Sequence, residues 1–156
     1  MLGVVRVALS YQQEFLDTFI KDAGILVEKD WYEIQHNSDV LKLDPDWDMY
    51  RKLELEGLLY IFTCRDSGKL VGYFTVFIIP NLHCKGNTRA VNDSIFMEKS
   101  YRKGFTGIRL IKFAESCIKK DGHKTLTIAT TEINPIDSII YRLGYSKVST
   151  SFEKEL

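Results

Sequence analysis

The sequence is poor in the features that most often betray a function. Its 21 Lys and Arg are matched by 21 Asp and Glu over 156 residues, so the formal net charge is zero. Proteins that grip phosphodiester backbones usually gather a basic excess on one face, and this balance argues against a nucleic-acid partner. Only three cysteines occur, Cys64, Cys84 and Cys117, with no CxxC pair. The three histidines add no Cys/His set at zinc spacing, since His83 and Cys84 are adjacent and the others lie far off. No metal is therefore expected, and reduced thiols point to a cytoplasmic setting. Long apolar runs are also missing. The longest, Val71 to Ile79, is broken by Gly72 and Thr75 and reaches only about half a membrane span. The opening MLGVVRVALSYQQEF lacks the apolar core and cleavage pattern of a signal peptide. No membrane partner is expected, and no repeat or low-complexity tract is visible.

What is present reads as one ordinary globular domain over 1–156. The hydrophobic share is 45% and the charged share 27%, which excludes disorder. Residues 2–8 are β-branched and predict an opening strand. Ser10 and Gln13 have capping-box spacing, and Phe15, Leu16, Phe19, Ile20, Ala23, Leu26 and Val27 recur at helical intervals. A helix over 11–28 follows, with a break expected near Gly24. Asp44-Pro45 supplies an N-cap acid and a first-turn proline for a short helix carrying Trp47, Tyr50 and Leu53 and ending at Gly57. Residues 58–64 and 70–79 predict a hairpin around 65–69, and 90–98 another strand. Residues 105–120 form an amphipathic helix closed by Gly122, and 126–130 a buried strand. Asn134 as N-cap, Pro135 and Gly144 frame a last helix over 134–145, and the alternating tail predicts a final strand. The order β-α-α-β-β-β-α-β-α-β implies an α/β fold: a mixed, mostly antiparallel sheet of about six strands with helices on both faces.

The most informative stretch is a strand that runs through Arg102-Lys103-Gly104-Phe105-Thr106-Gly107 directly into a helix. Glycines let backbone N–H groups approach an anion, the helix start adds partial positive charge, and Arg102 and Lys103 add cations. The same glycines would serve a plain strand-to-helix turn. A Rossmann site is disfavoured because G-x-G-x-x-G is absent, and a Walker loop because no Ser or Thr follows a Gly-Lys.

This R-x-G-x-x-G stretch resembles the acetyl-CoA signature of the GNAT superfamily of N-acetyltransferases, with Phe105 where the commoner pattern has its middle glycine. Together with DPDW (44–47), LVGY (70–73), P-x-LH (80–83), ND (92–93) and LGY…S-F-E-K-x-L (143–156), it is similar to a GNAT branch frequent in tailed bacteriophages and prophages. The resemblance implies a GNAT fold and acetyl-CoA as co-substrate. The main chain at Ile95 and Met97 would pair with the pantetheine arm. Arg102 and the amides of Lys103, Gly104, Phe105, Thr106 and Gly107 would hold the pyrophosphate, with Asn134 near the thioether. It also implies a general acid at Tyr141, although the spacing to Gly144 departs by one residue from the family's usual one, a turn of about 100° on a helix.

Candidate bases are Asp93, on the strand face of Ile95 and Met97, and His83, which titrates in the useful range. Glu33, beside Trp31 and Tyr32, lies where acceptor sites of the family are often walled. Each has a structural alternative: Asn92-Asp93 would fix a loop, and Trp31 and Tyr32 would pack. The expectation is an N-acetyltransferase that moves an acetyl group directly from acetyl-CoA to an amine of a small molecule or protein. Pairing into a homodimer fits the resemblance. The alternatives are a non-catalytic GNAT-like CoA-binding or protein-interaction module, or an unrelated α/β interaction protein.

Overall fold

The computed structural model describes residues 8–34 and 40–156. Five strands lie side by side in chain order: β1 (Leu9–Glu14), β2 (Leu59–Asp66), β3 (Lys69–Pro80), β4 (Thr88–Met97) and β5 (Leu126–Thr127). The first three pairings are antiparallel and the last, β4 with β5, is parallel. A parallel neighbour requires a crossover, and helix α3 (Thr106–Lys120) supplies it. Helices α1 (Leu16–Ile34) and α2 (Trp47–Leu55) cover one face of the sheet, α3 covers the other, and a short α4 (Asp137–Arg142) follows β5.

Period-two alternation, reset in β3 by a bulge at Val71, builds the two cores. Phe62, Phe74, Val76 and Ile78 point to α3 and meet Leu110, Ala114 and Ile118. Leu59, Ile61, Leu70 and Tyr73 point the other way and meet Leu16, Phe19, Ala23 and Leu26 of α1. Ser67 (φ 51) and Gly68 (φ 88) both adopt the left-handed conformation between paired Asp66 and Lys69. That is the two-residue turn whose twist suits a hairpin.

The N-terminal half departs from expectation. The strand predicted at 2–8 falls mainly outside the described residues. Residues 11–14, expected to be helical, instead form β1, because Glu14 is held in the sheet by buried Arg65 and Thr63 of β2. Ser10 therefore caps nothing. The cap of α1 comes from afar: Glu54 of α2 accepts the Leu16 N–H at 2.6 Å. The helix passes Gly24 unbroken and takes in Trp31, Tyr32 and Glu33. In α2 the capping acid is Asp46, whose carboxylate accepts the Met49 N–H at 2.9 Å, so Asp44 does not cap. At the other end β5 is only two residues long, and 146–156 forms no strand. Helix α4 starts at Asp137, later than the Asn134 cap predicted, and Ile136 occupies the N-cap without a side-chain bond. Among the described residues, no helix is long and apolar enough to cross a membrane.

The strongest electrostatic contact lies where β1 meets β2. Arg65 binds both carboxylate oxygens of Glu14, at 2.6 and 2.9 Å, and Asp22 of α1 at 2.6 Å. Burial pushes the Glu14 carboxyl up, but hydrogen bonds from Arg65, Gln12 and Thr63 outweigh it and hold the group below its usual value. A depressed folded-state pKa stabilises above the unfolded value and loses that contribution as pH falls through the folded one. Denaturant unfolding should therefore show stability declining below about pH 4.5, the unperturbed value, with a shallower decline in Glu14→Gln. Arg65→Ala strands a buried carboxylate and should cost about 3 kcal/mol at neutral pH.

Candidate functional site

Strands β4 and β5 pair at only two positions, Ala90 with Leu126 and Val91 with Thr127. Beyond Val91 the two chains part, and the β5-facing edge of β4 has no strand partner among the described residues. Asn92 stands at the point of parting. Its side-chain Oδ1 accepts the Ala129 N–H at 2.7 Å, and its Nδ2 donates to the Ala129 carbonyl at 3.4 Å. A carboxamide thus replaces the next rung of the ladder and satisfies both main-chain groups of Ala129. The neighbouring Asp93 is the extra residue of a β-bulge, since Ser94 pairs with Thr75 and Asn92 with Val76. Bulges turn side chains away from strict alternation. Here the bulge brings Asp93 beside Tyr50 and Thr75, whose hydroxyls donate to Oδ2 at 2.8 and 3.0 Å.

The wedge opens into a cavity of about 410 Å³. One end lies at the turn into α3, where Gly104 and Gly107 form part of the wall. Gly104 has φ +82, and a Cβ added to either glycine would meet no atom within 4 Å. Helix α3 has Phe105 at its N-cap with no side-chain bond and no acid in its first turn. Its first N–H groups therefore have no side-chain cap or acid to compensate them, where Gly104 and Gly107 border the cavity. Arg102 also borders the cavity, but it is engaged. Its Nε donates to the Met97 carbonyl at 2.7 Å, Nη2 to Glu33 at 2.6 Å, and its guanidinium lies 5.3 Å from the Phe96 ring centre. It pins the turn to β4 and α1. From the sheet side, Met97 is seated by Gly72, where an added Cβ would come within 2.6 Å of the Met97 side chain.

Two acids also line the cavity. Asp93 borders it from β4 and Asp30 from α1. Asp30 is 4% exposed. Its Oδ2 accepts the Tyr73 hydroxyl at 2.7 Å and also the Ser94 hydroxyl, whereas Oδ1 is buried without a partner. Burial pushes the Asp30 carboxyl up, the two hydroxyls oppose that, and the charges of Glu33 and Asp93 push it further up. Burial and Asp93 likewise raise the Tyr50 phenol.

The structure gathers Ile95, Met97, Arg102, Gly104, Gly107, Asn134 and Asp93 around one cavity. Lys103 and Phe105 lie exposed in the turn, and Thr106 begins α3, its carbonyl accepting from Tyr11. Three of the expected chemical groups are elsewhere. Tyr141 is 55% exposed: Ile139 faces the cavity and Ile140 the core, and a further residue of helical rotation carries Tyr141 away from both. His83 is exposed in the β3–β4 connection, its backbone N–H bound to Asn81. Glu33 does not face the cavity as a free base; its carboxylate pairs with Arg102 and, at 3.5 Å, with Lys99. Asp30 was not foreseen, although the α1 stripe Leu16, Phe19, Ala23, Leu26 leads straight to it. A carboxylate on an otherwise apolar stripe was the available signal. Among the described residues, no three His, Cys, Asp or Glu side chains gather as metal ligands.

If Asn92 holds the wedge open, Asn92→Ala should leave the fold intact yet raise hydrogen exchange at the Ala129 amide by about tenfold or more, the loss expected for one net hydrogen bond.

The fold has many solved counterparts. An aminoglycoside acetyltransferase from an uncultured soil metagenomic sample, in complex with sisomicin, superposes with a TM-score of 0.71 at 15% identity, covering 95% of this chain and 96% of that one. A ribosomal-protein-alanine N-acetyltransferase from Brucella melitensis biovar Abortus 2308 gives 0.69 at 16% identity, covering 96% and 99%. A predicted acetyltransferase with acetyl-CoA from Clostridium acetobutylicum gives 0.67 at 11% identity, covering 94% and 96%. No curated protein matches the sequence. The model of the acetyltransferase (GNAT) family matches residues 26–145, well over half of the chain. With the parted strands and the glycine-lined recess in the same segment, the protein belongs to the GNAT acetyltransferase family.

Proposed function

We propose that the protein is an acetyl-CoA-dependent N-acetyltransferase that transfers the acetyl group directly to a primary amine of a small molecule or protein. The observation that carries this reading is a cavity between β4 and the chain after β5 whose lining includes the glycines of the turn into α3 together with Asp30 and Asp93. The residues fit the co-substrate: Gly104 and Gly107 line the cavity where helix α3 begins without a side-chain cap or an acid in its first turn. Acetyl-CoA, when bound, supplies the thioester whose acyl group moves. The N–H groups of the turn and first helical turn, from Lys103 to Gly107, bind the pyrophosphate. The edge of β4 without a strand partner offers main-chain groups at Ile95 and at the Met97 N–H to an amide-bearing arm, the Met97 carbonyl being held by Arg102, and Asn134 also lines the cleft. The acidic part of the lining suits a cationic acceptor. Solved relatives in fold whose names include aminoglycoside and ribosomal-protein-alanine acetyltransferases support both acceptor sizes. The ordered motifs over 44–156 support a place in the bacteriophage-type branch, and three widely spaced cysteines without a CxxC pair support reduced thiols and a cytoplasmic setting.

Calorimetric titration with CoA and thiol release from acetyl-CoA with a panel of amines test the reading. Millimolar CoA without detectable binding would remove it. Gly107→Val should abolish CoA binding while shifting the unfolding midpoint little, because the new side chain enters open space. Tyr141→Phe should keep turnover within about twofold, since a well-placed acid is worth roughly 10²–10⁴ and Tyr141 is exposed and not among the residues that line the cavity.

A further inference from the structure

Helix α1 runs unbroken through Gly24, although glycine is among the weakest helix formers and a glycine inside a helix usually answers to close packing. Nothing in the chain packs there: a Cβ built on Gly24 meets no atom within 4 Å. Gly24 belongs to the outward face of the helix. Lys21, Gly24, Ile25, Glu28, Lys29 and Tyr32 recur at helical spacing, and all six are exposed. Ile25 is 67% exposed and Tyr32 68%. Two large apolar side chains therefore flank one acid and one base in the middle of the stripe. Beside it lies a recess of about 430 Å³, walled by Ile25, Tyr32 and Glu33 of α1 and by Glu98 and Lys99 just beyond β4. Ion pairs from Lys29 to Glu98 at 2.5 Å, and from Glu33 to Arg102 and Lys99, tie its two walls together. Glu28 pairs with no cation among the described residues.

We propose that this outer face of α1 is the interface of a homodimer, with the two helices antiparallel about a twofold axis that passes between Glu28 and Lys29. The order of the side chains selects a second copy as the partner. Ile25 and Tyr32 stand equally far from the midpoint between Glu28 and Lys29. An antiparallel copy therefore sets Ile25 against Tyr32 of the second copy and Glu28 against its Lys29, and both contacts recur with the copies exchanged. Such self-complementarity is what a twofold interface requires. A parallel pair would oppose like charges, Glu28 to Glu28 and Lys29 to Lys29. Lys29 has three N–H donors, so it can serve Glu98 and the second copy's Glu28 together. Gly24 leaves the backbone bare where the last turn of the second helix passes, which permits close approach. Asp30 and Ile34 lie on the other side of α1, at the cavity wall, and keep that place in the pair. One helix face is at the small end of specific interfaces, so the dimer dissociates on dilution. The interface is independent of the acetyltransferase reading.

Sedimentation equilibrium of the full chain, from dilute to near-millimolar protein, should show a reversible monomer–dimer equilibrium. Amide NMR over the same dilution series should show shifts concentrated at 21–33 and 98–99, and that measurement needs no variant. Glu28→Lys and Lys29→Glu should each weaken self-association by about tenfold or more, because each sets like charges face to face twice across the axis. Mixing the two variants should restore pairing, since one copy then offers two cations to the two anions of the other. Circular dichroism and the unfolding midpoint identify a variant that has lost its fold, in which case the dilution shifts of the parent decide. A parent that stays monomeric at every concentration overturns the proposal and leaves the face to a different protein. Dilution shifts that fall elsewhere overturn it too. So does a mixture of folded variants that fails to pair.

Discussion

The carboxamide of Asn92, bonded to both main-chain groups of Ala129, is the contact on which the site depends. Two parallel strands that continued to pair would close the sheet and leave no cleft. Here pairing stops after two rungs, and a side chain occupies the position where a third would form. Ala129 is satisfied without β4 contributing its backbone, so the β4 edge stays available beyond that point. The cavity, the exposed edge at Ile95 and Met97, and the approach to the α3 turn all follow from this substitution of side chain for ladder. The crossover sets the rest: a parallel β4–α3–β5 unit brings the start of α3 to the end of β4, where the strands have separated.

Charge is arranged along this cleft rather than over the surface. The sequence sums to zero, yet the cavity is bordered both by the glycine turn with its uncompensated N–H groups and by Asp30 and Asp93. Arg102, which by position alone would be the cation for a bound phosphate, is tied to Met97 and Glu33. Its contacts in the folded protein hold β4, the turn and α1 together. The same ion pair ties the Glu33 carboxylate to the turn.

Much of the fold was legible because it rests on local rules. The β2–β3 hairpin carries its turn in Ser67-Gly68, the α3 stripe repeats at helical spacing, and the glycines of the R-x-G-x-x-G turn sit where the cavity needs them. What escaped was set by distant partners. Residues 11–14 look helical by spacing, but Arg65, fifty-one residues from Glu14, draws them into the sheet. The cap of α1 is Glu54 and not Ser10. Asp30 gains its meaning only from Tyr73 and Ser94, on strands no local pattern places beside α1. Tyr141 shows the converse: a family resemblance implied a role, and in the fold the side chain is exposed and is not among the residues that line the cavity.

The central claim is that the parted strands and the glycine turn form one co-substrate cleft. Backbone amide NMR of the full chain titrated with CoA tests it most directly. The account predicts shifts concentrated at 95–97, 103–107 and 129–134, the residues that border the cleft, with the β3–β4 connection at 81–87 unmoved. Shifts confined to that connection, or to the outer face of α2, would contradict it.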